Sequence, residues 1–290
     1  MKKFYFFIFL FSVSSIFISC SDEEVIIPEN TPPPDQTIEN VTISDYVNRV
    51  YVSVLGREAD SNEKSSGFNN LRQNNLSMAS RMQFLDQVFS EDEYLSHLYD
   101  FARIELLNNI DTSEITNFIN IFSYLLADTS MAQFHYLFAY EIERLDSLQR
   151  VPFDLENNII DIAFLQRRCL NTYFYDQINM GAENFVVSAF QHFANRYPTT
   201  NELSESKKML EGTPSILFLK SGQSKNDFLD IFFTSQEYYE GLAVNLYQRF
   251  LFRNPTSIEM GNAQQEFSNT QDYKQMQKNI LATNEYIGIE

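Results

Sequence analysis

The chain has 290 residues, 44% of them hydrophobic and 21% charged, enough apolar material for a packed core in one domain or two. Its 39 acids and 21 bases give a formal charge of −18, which excludes a phosphate-backbone partner, so no nucleic acid is expected. With 27 Phe and 16 Tyr but only 8 Gly and 8 Pro, it lacks the turn residues of a β-sandwich, and long helices are expected.

At the start of the chain, Lys2 and Lys3 precede an apolar run from Phe4 that ends at Phe17-Ile18-Ser19-Cys20. The run is shorter than the ~20 apolar residues a spanning helix needs. It reads as an export signal covering residues 1–19. Ser19 directly before Cys20 resembles a bacterial lipobox, with Phe17 where Leu is usual. That resemblance implies cleavage after Ser19 and lipidation of Cys20, whose acyl chains, at about 0.8 kcal/mol per buried CH₂, make an outer-membrane anchor. Asp22, Glu23 and Glu24 resemble the export tag of surface lipoproteins in the Bacteroidetes, which implies display outside the outer membrane. A solvated acidic linker on a periplasm-facing anchor is the other reading. Pro28, Pro32, Pro33 and Pro34 mark residues 20–43 as an extended, flexible tether.

From Ser44 the apolar spacing becomes helical. Val47, Val50, Tyr51, Val54 and Leu55 form one stripe, which ends at Gly56-Arg57-Glu58-Ala59-Asp60. The layout returns with Val186, Ala189, Phe190 and Phe193 before Arg196-Tyr197-Pro198-Thr199. It returns again with Ala243, Leu246, Tyr247 and Phe250 before Arg253-Asn254-Pro255-Thr256. Downstream of each lies a second signature, Phe84 to Tyr94, Phe228 to Tyr238 and Met276 to Tyr286. A degenerate unit is expected at Asp111-Thr112-Ser113-Glu114, with its second signature at Phe164 to Phe174 and no arginine kept.

Asp60 with Glu63, Thr199 with Glu202, and Thr256 with Glu259 have capping-box spacing, as do Ser90 with Glu93 and Thr234 with Glu237. Each cap is worth about 1 kcal/mol. Gly56 is placed to close a helix in the left-handed conformation, and Pro198 and Pro255 to stop one. Arg57, Arg196 and Arg253 then stand at helix C-termini, where a cation meets the negative dipole end and can pair with the following Glu.

These units resemble a helical repeat of bacterial surface proteins, marked by an apolar helix followed by Leu-Gly-Arg-x-Pro-(Asp/Thr)-x-x-Glu. Residues 46–63 match best, with Ala59 where Pro is expected, and similar motifs occur in phycobilisome linkers. The resemblance covers about two thirds of the chain beyond the signal, and its members serve as attachments, linkers and adaptors. The expected fold is therefore all-α, with stacked helix–corner–helix repeats in two halves. The first half is 44–178, with one clear and one degenerate unit, and the second is 183–290, with two units. Tyr238 to Phe252 is expected to be one helix shared between units.

Chemistry-bearing motifs are missing. There is no His-Glu-x-x-His, no Gly-x-Ser-x-Gly and no phosphate-binding glycine loop, so no catalytic, cofactor or metal residue is assigned and no cofactor is expected. His97, His135 and His192 fall in helical stretches, and Cys169 reads as a buried structural thiol. Glu141 and Glu143 make no glycosidase dyad on spacing alone. Asp146-Ser147-Leu148 resembles a Bacteroidetes O-glycosylation acceptor. The segment Gly212 to Leu219 interrupts the third unit, and Ile216, Leu217, Phe218 and Leu219 there either cap the core or contact a partner. The expected function is a non-enzymatic helical adaptor at the outer membrane, binding a protein or glycan partner. The alternative is a cell-surface hydrolase acting on glycan or peptide through acids facing each other across a cleft.

Overall fold

The computed structural model describes residues 36–289, with side chains from Asn40 onward. The expected signal, Cys20, Asp22, Glu23, Glu24 and the tether up to residue 35 lie outside the described residues. From Ile38 the chain forms one compact unit.

The fold is all-α apart from one short hairpin. Helices α1 (Gln36–Leu55), α2 (Ser61–Gln73), α3 (Met78–Phe89) and α4 (Glu93–Leu107) are followed by α5 (Thr112–Ala127), a 3-10 turn (Thr129–Phe134) and α6 (His135–Gln149). Then come α7 (Val151–Glu156), α8 (Ile162–Leu170), α9 (Tyr173–Ile178), α10 (Ala182–Ala194) and α11 (Thr200–Leu210). Strands β1 (Ser215–Leu217) and β2 (Lys220–Gly222) pair antiparallel, with Ser215 opposite Gly222 and Leu217 opposite Lys220. Helices α12 (Lys225–Phe233), α13 (Gln236–Leu251), α14 (Ser257–Thr270), α15 (Tyr273–Leu281) and α16 (Asn284–Ile287) complete the described chain.

Two expected boundaries move. Helix α1 begins at Gln36, so residues 36–43 of the expected tether are helical. The prolines end at Pro34, and Ile43 extends the Tyr46, Val47 and Val50 stripe back by a turn and is buried with it. The helix expected over Tyr238 to Phe252 is α13, except that Phe252 lies beyond it as a left-handed cap.

One continuous core runs from Ile43 to Ile287 through both expected halves. The last helices return to the first. The Tyr286 ring stands 6.0 Å from that of Tyr46, and Arg81 donates to the Ala282 carbonyl at 2.9 Å. Apolar faces that an open stack would leave bare at its two ends thereby cover each other.

Four buried tyrosines at the starts of helices pin the elements together. Tyr94 Oη donates to Gln277 at 3.1 Å, and Tyr238 Oη to Gln166 at 2.6 Å. Tyr175 pairs with His192 Nδ1 at 3.1 Å, and Tyr286 with Ser53 at 2.9 Å. Each of these bonds spares a buried phenol the cost of an unmade one, and each partner comes from a different helix.

Candidate functional site

The three arginine corners share one geometry. Gly56 (φ 73°), Asn195 (φ 53°) and Phe252 (φ 55°) each leave the preceding helix in the left-handed region, and each is followed by an arginine. Arg57, Arg196 and Arg253 lie over the rings of Tyr51, Phe190 and Tyr247 at 5.5, 5.1 and 5.2 Å. Their guanidinium forks grip Glu63, Glu202 and Glu259 through paired bonds of 2.7–2.9 Å.

The same glutamates accept from the N–H groups of Asp60, Thr199 and Thr256, which cap helices α2, α11 and α14 in full capping boxes. Pro198 and Pro255 sit in the corner just before those caps. Arg253 holds the Glu259 carboxyl down at about 2, against the opposing effect of burial. A carboxylate held that low cannot exchange protons usefully near neutrality. These motif residues hold structure.

The second signatures depart from expectation. Ser90 caps no helix start; it ends α3 and donates to Gln87. Thr234 likewise turns back to Asp230, and the cap of α13 is Ser235, one residue later, accepting from Tyr238 N–H at 3.2 Å. Thr283 does the same for Tyr286 at 3.1 Å, despite Ala282 before it. In the degenerate unit Thr172 caps Tyr175 at 3.2 Å, so the corresponding segment is 165–175, one residue beyond the expected register.

The glutamates of the second signatures have another use. Glu93 joins Arg57 at 2.7 Å, and Glu285 joins Arg253 at 2.6 Å, so each of these arginines bridges two carboxylates. Arg196 has no such second bond with Glu237 among the described residues, and that acid acts on it only through its field.

The remaining polar candidates are also occupied. Cys169 is buried, and burial pushes its thiol up to about 12, as an inert structural cysteine requires. His97 packs beneath Gly56 and meets Arg249 Nη2 at 3.4 Å, and burial lowers its pKa. His135 bonds the Asp128 carbonyl at 2.9 Å. Glu141 is taken by Arg144, which also reaches Asp176 at 3.1 Å. Ser147 is half-buried on α6 beside the buried Leu148. Among the described residues no cluster of His, Cys, Asp and Glu could hold a metal ion.

Concavities among the described helices include two that carry carboxylates beside apolar walls. A cavity of about 180 Å³ is walled by Leu98, Phe101, Leu106 and Leu246, with Glu105 as its one carboxylate and Arg249 as its cation. A wider groove of about 700 Å³ carries Glu156, Asp161 and Asp272. Asp161 and Asp272 are helix caps there, accepting from Phe164 N–H at 2.9 Å and Gln275 N–H at 2.8 Å.

The β1–β2 hairpin divides the residues expected to contact a partner. Leu217 is buried, and Phe218 packs its ring 6.1 Å from Phe190 and 6.4 Å from Phe232. These two belong to the core, because alternate strand residues point to opposite faces and the first turn residue folds inward. Ile216 is 59% and Leu219 98% exposed. The turn residues Phe218 (φ 48°) and Leu219 (φ 64°) are both left-handed, where hairpins ordinarily place Asn-Gly. Each such residue costs roughly 1–2 kcal/mol. The chain thus carries backbone strain at a point where it displays an apolar side chain.

The chain matches no family model, no curated protein and no solved structure. No helix among the described residues is long and apolar enough to cross a membrane.

Proposed function

We propose that this chain is a non-enzymatic helical adaptor, anchored at the outer membrane through a lipidated Cys20 and displayed on its outer side. It binds a protein or glycan partner there. The hairpin carries this reading: Leu219, fully exposed on a strained turn, is anchored from beneath by Leu217 and Phe218. Local strain that packing does not repay favours a binding role over a stabilising one. The acids and arginines of the repeated corners support the same reading, since they are engaged with one another and with helix ends. The resemblance to repeats that serve as attachments and adaptors agrees with it.

The test is purification of the tagged lipoprotein from detergent-solubilised membranes, beside a variant with Ile216→Ser and Leu219→Ser. A stoichiometric partner present with the first and lost with the second is the expected result. A partner-free monomer that turns over a surface glycan or peptide would replace the adaptor with the hydrolase.

A further inference from the structure

The α5–α6 pair is built unlike the rest of the molecule. Between Thr116 and Glu143 no residue is buried, although the segment is rich in Phe, Ile, Leu and Tyr. At its base Phe118 packs against Tyr173 and Phe174, at 5.4 and 5.1 Å, and higher up Phe122 stacks on Phe138 at 6.2 Å. Beyond those contacts the arm turns Ile121, Tyr124, Phe134, Tyr136, Leu137 and Tyr140 to solvent. On α5 the exposed residues are three apart, and on α6 three and four apart, so each helix offers one apolar stripe. Two helices meet along one seam only; apolar residues on a second face call for further helices.

Charge and area indicate what those helices are. From Thr116 to Tyr140 the only formally charged residue is Asp128, in a chain of charge −18. Two copies of so acidic a molecule repel over most of their surface, and the arm is a place where they can meet without that cost. At roughly 150–250 Å² per large side chain, and with exposures between 37% and 76%, the six residues offer about 500–800 Å², against about 800 Å² per partner in a standard interface. The end of the arm is polar. Asp128 accepts from Ser130 N–H at 2.9 Å and Ser130 Oγ at 2.7 Å, and these bonds keep it ionised. An ionised turn opposes end-on entry into lipid and leaves the sides of the arm as the contact.

We propose that the α5–α6 arm is a self-association surface, pairing side by side with the same arm of a second copy to complete a four-helix bundle. The surface is distinct from the hairpin, so the proposal stands or falls separately from the partner reading.

The experiment is sedimentation velocity of the full chain in a mild detergent across the micromolar range, beside a Tyr124→Glu, Tyr136→Glu variant. Hydrogen exchange of residues 117–140 is followed as a function of concentration. The expected result is a wild-type dimer whose arm amides gain protection with concentration, and a variant weakened by roughly 30-fold or more with unchanged helicity and melting. A wild-type monomer throughout, a dimer that survives both substitutions, or protection confined to other helices would overturn it. So would a monomer whose arm binds neutral phosphatidylcholine vesicles, which would assign the stripe to lipid.

Discussion

Gly241 of α13 and Phe193 of α10 meet backbone to backbone: a Cβ at Gly241 would overlap the Phe193 carbonyl oxygen. The neighbouring Asn195 side chain donates to the Gly241 carbonyl at 3.2 Å, which ties the crossing together. Helices α10 and α13 are the apolar halves of two arginine corners, so this contact sets how those corners sit against each other.

Gly241→Ala should therefore force the two helices apart and destabilise the protein by about 3 kcal/mol or more. Gly261→Ala, in α14 where nothing lies within 4 Å of the added carbon, serves as the control. It should raise stability by about 0.5–1 kcal/mol. Chemical denaturation of both variants checks the contrast, and equal effects would remove Gly241 from this role.

Glu259 provides a pH test. Arg253 and the Thr256 N–H depress its carboxyl from the ordinary 4.5 to about 2 in the folded protein. A group depressed on folding contributes stability that is present above its unfolded pKa and lost as pH falls through the folded one. Wild type should exceed Glu259→Gln by about 1 kcal/mol at neutral pH, the size of a helix cap. That margin should shrink as the pH drops from about 4.5 toward about 2. Melting temperatures of both proteins over this window would show it; a constant margin would mean that the charge is not what matters.

At the hairpin, stability and binding should part company. Leu219→Gly relieves a left-handed leucine and removes almost no packing, since the side chain is 98% exposed. It should stabilise the fold by about 1 kcal/mol. Leu217→Ala, by contrast, should cost about 2–5 kcal/mol, as expected for a buried leucine. If the exposed leucine binds, the more stable Leu219→Gly protein is the one that loses its partner, read as co-purification from membranes.

For the anchor, Cys20→Ala should release the protein from the membrane fraction into the soluble one. Protease added to intact cells should digest the wild-type protein if it is displayed outside. Persistent membrane association of the variant argues against lipidation, and digestion only after lysis argues for a periplasm-facing anchor.

The helical class, the three arginine corners and their capping boxes are legible in the sequence. Each of those rests on contacts within a few residues, such as Arg253 with Glu259 or Thr256 with Glu259, where spacing along the chain fixes geometry. The cap at Thr234 is misread from the sequence, because Thr234 and Ser235 stand side by side, both able to cap, and only the packed helix chooses between them. Ser90 instead ends α3, and the degenerate unit caps at Thr172. Packing between distant segments brings Glu93 and Glu285 back to Arg57 and Arg253, and Tyr286 to Ser53. It also decided that Gly241 is a crossing point, that Leu217 is covered while Leu219 is bare, and that the α5–α6 arm is left without a cover. These outcomes depend on which distant surfaces come together when the core closes, and periodicity reports only that a face is apolar, never what will lie against it.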